Sequence, residues 1–372
     1  MRIVIAGGGT GGHTSAGLAV MEALRERGGA DVHWIGSRSG VEARRVPAAG
    51  VAFHTIATGK LRRYWDWQNV PDLFWRAPAG VVQSWRLLRR LRPALLFATG
   101  GFVALPPALA ARALGIPIVV HEQTAIPGLA NRIVARFAQR IALSFPTSDS
   151  SLPADRTIVT GNPLRAELSA GSREAACRRF GFDPALPIVY VTGGAQGSHR
   201  INRTVGEILE RLLALCQIIH QCGDNVETGD HAWLASRAQS LPGERQGRYA
   251  LLTYVGAELG DVYAAADLIV SRSGAGTVNE CVNLGKPAIY IPLPGASGDE
   301  QTANARLVAT AGGGVLLPQS DLTGSALLDL VRKLIGDRDS LRAMGERARS
   351  VAVPDAAARI ARVIFDTARA RP

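Results

Sequence analysis

A glycine run that ends in a histidine, Gly7-Gly8-Gly9-Thr10-Gly11-Gly12-His13, follows the short apolar stretch Arg2–Ala6 and precedes a helical pattern over Ala16–Arg27. Between a strand and a helix, such a turn lets backbone N–H groups and a helix N-terminus face an anionic or hydroxyl-rich ligand. A second turn, Gly193-Gly194-Ala195-Gln196-Gly197, follows Ile188–Thr192. In Ser271–Glu280, small residues follow Leu268-Ile269-Val270 and open a helix, where a diphosphate can approach the positive end of the dipole. Glu280 there can accept both hydroxyls of a ribose, although Thr277-x-x-Glu280 equally spells a capping box. Arg165 carries the planar donor fork suited to a phosphate. In Asp299-Glu300-Gln301-x-x-Asn304 the amides can read sugar hydroxyls, or the segment can simply start a helix.

Other chemistries find less support. Gly7 to Gly12 contains a literal G-x-G-x-x-G, but the strand at 32–36 ends in Ser37 where a dinucleotide site wants an acidic residue. A nicotinamide-dependent oxidoreductase is therefore a subordinate reading. No G-x-x-x-x-G-K-[ST] occurs, and neither His nor Cys shows metal-ligand spacing. Asp337-Arg338-Asp339 lies in a charged helical region far from any glycine turn, so no metal and no cofactor is expected.

The elements that must carry these residues alternate regularly. Strands read near 2–6, 32–36, 51–56, 94–98, 117–121, 140–144 and 157–160. After the break Gly161-Asn162-Pro163-Leu164-Arg165 they resume near 188–192, 217–221, 250–254, 267–270, 287–291 and 314–317. Repeated β-α alternation implies an α/β fold with two doubly wound, Rossmann-like parallel sheets, whose glycine turns face one cleft. The boundaries fall at 1–162 and 163–353. A terminal helix in 354–372, with Ile360, Val363, Ile364 and Thr367 on one face, is expected to pack back on the first domain.

At 372 residues, 47% hydrophobic and 20% charged, the chain suits two well-filled cores. The formal charge of +11 favours anionic partners; without a nucleic-acid motif, lipid and phosphate rank above nucleic acid. Cys177, Cys216, Cys222 and Cys281 form no framework, and neither a signal peptide nor a spanning apolar run is present, so an intracellular protein is expected. From Leu61 to Arg92, Trp65, Trp67, Leu73, Phe74, Trp75, Val82 and Trp85 interleave with Arg86, Arg89, Arg90 and other arginines. That mixture suits a surface dipping into anionic lipid; the competing reading is an ordinary helix with its aromatics turned inward.

With these motifs in order, the chain resembles the MurG family of bacterial glycosyltransferases from end to end. The likeness rests on GGGTGGH at Gly7, TGGFVALPPALAARALGIPIVVHEQ at Thr99, GNPLR at Gly161, GGAQGSHRIN at Gly193, SRSGAGTVNE at Ser271, DEQTANA at Asp299 and ERARSVAVPDA at Glu346. It implies the two-domain GT-B fold and metal-independent transfer of N-acetylglucosamine, with inversion to a β-1,4 linkage. The donor would be UDP-N-acetylglucosamine, and the acceptor the muramyl C4 hydroxyl of undecaprenyl-diphosphate-linked muramyl pentapeptide. Related alternatives are another lipid acceptor such as diacylglycerol, or a non-catalytic UDP-sugar-binding scaffold. By position, the resemblance implies donor contacts at Thr10, Gly11, Gly12, Thr124, Arg165, Ala195, Val255, Ala275, Gly276, Thr277, Val278, Asn279, Glu280 and Gln301. It assigns the acceptor to the N-terminal half, where His13 is the candidate base and Glu122 its rival. Phe102, Trp75, Trp85, Arg86 and Arg89 would face acceptor and membrane. The chain departs from the family at Ala195, Thr124, Phe102 and Glu300, where Ser, Asn, Tyr and His are usual. Location at the cytoplasmic face of the inner membrane follows, with an anionic lipid surface and other cell-wall synthesis proteins as partners.

Overall fold

A computed structural model describes residues 1–9, 11–59, 75–146 and 152–370. The chain divides into two compact units, Met1–Arg165 with Val353–Pro372, and Ala166–Ala352.

The first unit is built on seven parallel strands: β1 (Arg2–Gly7), β2 (Asp31–Gly36), β3 (Ala52–Thr55), β4 (Leu95–Gly100), β5 (Ile118–Glu122), β6 (Arg140–Leu143) and β7 (Thr157–Val159). Their order is β3-β2-β1-β4-β5-β6-β7. Continuous apolar runs such as Ile3-Val4-Ile5 form central strands because both faces are covered. Ile3 and Ile5 pack with Val20 and Leu24 of the helix Gly11–Gly28, and with Ile360 and Ile364 of the terminal helix Ala356–Arg369. Val4 and Ala6 face the opposite layer, with Leu88, Ala108 and Val134 from the helices Ala77–Leu91, Leu105–Ala113 and Leu129–Ala135. Trp34 on β2 is fully buried, and its indole N–H donates to Gly7 O at 3.0 Å, fixing the end of β1.

The second unit repeats the winding with β8 (Ile188–Thr192), β9 (Gln217–Gln221), β10 (Tyr249–Leu252), β11 (Leu268–Ser271), β12 (Ala288–Tyr290) and β13 (Gly314–Leu316), in the order β10-β9-β8-β11-β12-β13. Val189, Val191, Ile218 and Val270 pack with Ile201 and Leu328 of the helices His199–Glu207 and Gly324–Ile335. In each unit the strand order reverses beside the first strand, between β1 and β4 and between β8 and β11. Ligands of open α/β sheets bind outside the carboxyl ends of strands at that reversal.

Two local expectations change. The first helix starts at Gly11, not Ala16, so Gly11, Gly12 and His13 form its opening turn. The terminal helix buries Ala356, Ile360, Ala361, Ile364 and Ala368; Val363 and Thr367 lie at the margin of that face. Asp337 caps the helix Arg338–Ser350, its carboxylate accepting the Ser340 N–H at 3.0 Å. Among the described residues, no helix is long and apolar enough to cross a membrane.

Candidate active site

At the end of β1 the His13 ring stands with Nδ1 2.8 Å from Thr99 O. A carbonyl can only accept, so Nδ1 carries the proton and the neutral ring keeps its lone pair on Nε2. Burial lowers the His13 pKa, against the opposing pull of Glu122, the Thr99 carbonyl and Glu42. Gly100 (φ 99°) makes room for it: a Cβ there would lie 2.9 Å from His13 Cε1, in a backbone region that L side chains rarely adopt. Phe102 opens a short 3-10 turn after β4, and its ring edge packs over Gly9. Thr10 lies outside the described residues.

Glu122 closes β5 and is 4% exposed. Its Oε1 accepts the Thr124 N–H at 3.0 Å, and the Thr124 hydroxyl stands 2.8 Å from it. Oε2 accepts the Gly128 N–H at 3.0 Å and Asn131 Nδ2 at 2.8 Å. Both oxygens are thus spent on fixing the 124–131 segment, which suits a positioning carboxylate better than a proton acceptor. The Thr124 hydroxyl is turned inward as well, also lying 2.6 Å from Ile126 O. His121 is fully buried and neutral, its pKa lowered to about 4 by desolvation, with Nε2 3.1 Å from Gly161 O.

Sequence reasoning missed Glu42. It opens the helix Glu42–Ala48 and sends a fully buried carboxylate beneath the glycine turn. Gly9 N–H donates to Oε2 at 2.9 Å, while the Ser37 N–H and hydroxyl donate to Oε1 at 3.1 and 2.5 Å. An internal anion therefore takes the N–H that a dinucleotide pyrophosphate would use, which weighs against the oxidoreductase reading. The only sequence signal was an acidic residue a few positions past the second strand.

In the second unit, the turn after β8 exposes Ala195 and Gln196. Gly197 (φ 75°) closes it against β9, where a Cβ would fall 1.8 Å from Cys222 O. Gln221, at the end of β9 and 4% exposed, ties the turn together. Its Nε2 donates to Gly194 O at 2.8 Å, and its Oε1 accepts the Val255 N–H at 2.9 Å. Val255 can therefore offer a ligand its carbonyl but not its amide. Gln221 was not singled out in the sequence, because an internal strand-end glutamine carries no motif.

The helix Ala275–Leu284 starts after Gly274 with no side-chain cap. Thr277 is its third residue, so the capping box does not form and Glu280 lies in the second turn, not the first. Gly276 and Thr277 are half-buried at that start, whereas Val278 and Asn279 point into the unit. Glu280 Oε2 accepts the Tyr263 hydroxyl at 2.6 Å. Gln301 stands at the start of the helix Glu300–Thr310, its carbonyl oxygen accepting the Leu293 N–H at 3.0 Å. Asn304 is fully buried and donates to Ser273 O at 3.1 Å, so it braces the neighbouring motif instead of reading a sugar. Arg165 is the last residue before the second unit begins.

Of the aromatic-basic stretch, Trp65, Trp67, Leu73 and Phe74 lie outside the described residues. Trp75 is 76% and Val82 47% exposed, and Arg86, Arg89 and Arg90 are exposed in the last two turns of the helix Ala77–Leu91. Trp85 departs from the lipid-facing expectation: it packs against the core beneath Arg89, whose guanidinium lies 5.1 Å from the ring centroid.

Two parallel sheets wound the same way, each with a glycine turn after its first strand, define the GT-B class of fold. The glycosyltransferase family 28 N-terminal domain matches residues 3–143, and the family 28 C-terminal domain matches residues 188–360. A UDP-N-acetylglucosamine–N-acetylmuramyl-(pentapeptide) pyrophosphoryl-undecaprenol N-acetylglucosamine transferase of Geobacillus kaustophilus is 37% identical over 371 residues, 99% of each chain. The same-named enzyme of a Nocardioides species is 38% identical over 376 residues, 98% of each chain. The crystal structure of Acinetobacter baumannii MurG aligns with a TM-score of 0.74 at 28% identity, over 98% of this chain and 99% of that one. The chain belongs to glycosyltransferase family 28.

Proposed function

We propose that this enzyme transfers N-acetylglucosamine from UDP-N-acetylglucosamine to the muramyl C4 hydroxyl of undecaprenyl-diphosphate-linked muramyl pentapeptide in peptidoglycan synthesis. The observation that carries the reading is the end-to-end similarity to transferases named for that reaction, at 37–38% identity. The geometry supports the chemistry. His13 Nε2 takes the acceptor proton, the acceptor oxygen bonds to the anomeric carbon, and the bond from that carbon to the diphosphate breaks, so that UDP leaves with the electron pair and configuration inverts. Arg165 and the uncapped N-terminus of the helix Ala275–Leu284 stabilise the charge on the leaving diphosphate. Glu280 binds the ribose, and the Val255 carbonyl and Gly194–Ala195 backbone border the nucleotide. Glu122 acts on the acceptor side by holding its loop.

The lipid carrier puts the reaction at a membrane surface. Trp75 and Val82 are suited to the interface and Arg86 and Arg89 to anionic headgroups, on the cytoplasmic face of the inner membrane. A thermal-shift panel of UDP-N-acetylglucosamine, UDP-glucose, UDP and NAD, followed by transfer assays on the muramyl lipid and on diacylglycerol, tests the whole reading. Stabilisation by UDP-N-acetylglucosamine with turnover on the muramyl lipid is expected. Stabilisation by NAD alone, or turnover only on diacylglycerol, would overturn it.

A further inference from the structure

Beneath the second unit's carboxyl-end site lies a tyrosine that none of the motifs contains. Tyr263, on the helix Leu259–Ala265, is 2% exposed, and its ring packs edge-on against Tyr190 at 5.7 Å between centroids. Its hydroxyl donates to Glu280 Oε2 at 2.6 Å, a length typical of a bond assisted by the carboxylate's charge. Desolvation and the nearby Glu280 raise its pKa well above the ordinary phenol value, so the hydroxyl keeps its proton and remains a donor. Tyr190, in turn, places its hydroxyl 3.4 Å from Gln221 Oε1, the atom that also holds the Val255 amide. The carboxylate thus belongs to a buried polar layer that also sets the edge assigned above to the nucleotide.

A glutamate side chain has several rotamers, and a ligand that must order it loses affinity. One already held by a buried donor offers its remaining acceptor capacity in a fixed direction. A rigid acceptor rewards a sugar that presents two neighbouring hydroxyls and gives little to one that lacks them. We propose that Tyr263 is a positioning residue that makes the donor site select ribose over deoxyribose by holding Glu280 in place. The inference rests on the reading of the second unit as the UDP-sugar site.

The test is calorimetric titration of UDP and 2′-deoxy-UDP into the wild type, Tyr263→Phe, Glu280→Ala and the double variant. Tyr263→Phe keeps the ring and its packing while removing one oxygen. Its Kd for UDP should rise about tenfold, the scale of one lost charge-assisted hydrogen bond, and its Kd for 2′-deoxy-UDP, which keeps only the 3′-hydroxyl, by less. The preference for ribose then shrinks, and adding Tyr263→Phe to Glu280→Ala costs nothing further. A Tyr263→Phe protein that loses thermal stability but keeps the wild-type UDP to 2′-deoxy-UDP ratio overturns the inference, since a merely structural hydroxyl predicts that outcome. A wild type that does not bind UDP overturns the donor reading itself; one that binds both nucleotides equally overturns ribose recognition by Glu280.

Discussion

His13 can accept a proton at one nitrogen only, because the other is bound to Thr99 O. Replacing it by Ala should lower kcat by roughly 10²–10⁴-fold with donor affinity nearly unchanged. Burial depresses its pKa, so the acid limb of the wild-type kcat profile should fall below pH 6.5; a limb above that value would argue for another base. Glu122→Gln puts an NH2 among groups that now donate to the carboxylate. It should cost roughly 1–3 kcal/mol of stability and, by removing a charge that holds the His13 pKa up, move that acid limb to lower pH. His13 and Glu280 were legible because glycine turns and helix starts advertise them. Glu42, Gln221 and Tyr263 were not: each acts through a contact made only when distant strands and helices meet, and none sits in a recognisable spacing.

The helix Ala77–Leu91 shows how far an element can be read from its pattern. Its alternation of aromatic and basic residues announced an amphipathic surface, but the sequence could not say which tryptophan turned inward. Trp85 packs against the core layer that holds Leu88, while Trp75 is exposed. Trp75→Ser combined with Arg86→Gln and Arg89→Gln should weaken sedimentation with anionic vesicles, at about 1 kcal/mol per arginine near the surface, and leave UDP binding intact. Trp85→Ala should instead lower Tm, with vesicle binding nearly unchanged. If the two variants exchange phenotypes, the lipid surface has been assigned to the wrong face. Strand positions, by contrast, were read to within two residues, because fully covered parallel strands are short apolar runs bounded by glycine and proline.

At the scale of the molecule, each unit buries a histidine that refuses its proton. The pKa of His121 is lowered to about 4 and that of His220 to about 3, both by desolvation. The unfolded chain titrates near ~6.5, so below that pH it binds protons that the folded chain does not, and stability falls as the pH drops. His121 alone should cost roughly 3 kcal/mol by pH 4. Denaturant melts between pH 7 and pH 4.5 should show the midpoint falling steadily; a flat response would mean these rings are protonated in the fold. The doubling of the fold was visible in the repeated strand-glycine-helix rhythm. One face of the first sheet is covered by a helix from the end of the chain, whose apolar face was legible over 354–372.

That return has a consequence for biosynthesis. Ile360 and Ile364 fill the layer beneath Ile3 and Ile5, yet the whole of Ala166–Ala352 emerges from the ribosome before them. The second unit can close as soon as its own residues are out, whereas the unit translated first must wait with one side of its sheet partly uncovered. A chain released after Ala352 should therefore contain a protease-resistant Ala166–Ala352 beside a digestible N-terminal half. Supplying the 353–370 segment as a separate peptide should restore that half's resistance, and Ile360→Ala with Ile364→Ala in the peptide should abolish the rescue. The nascent protein thus acquires its candidate base-bearing unit last, although it is the one whose coding begins first.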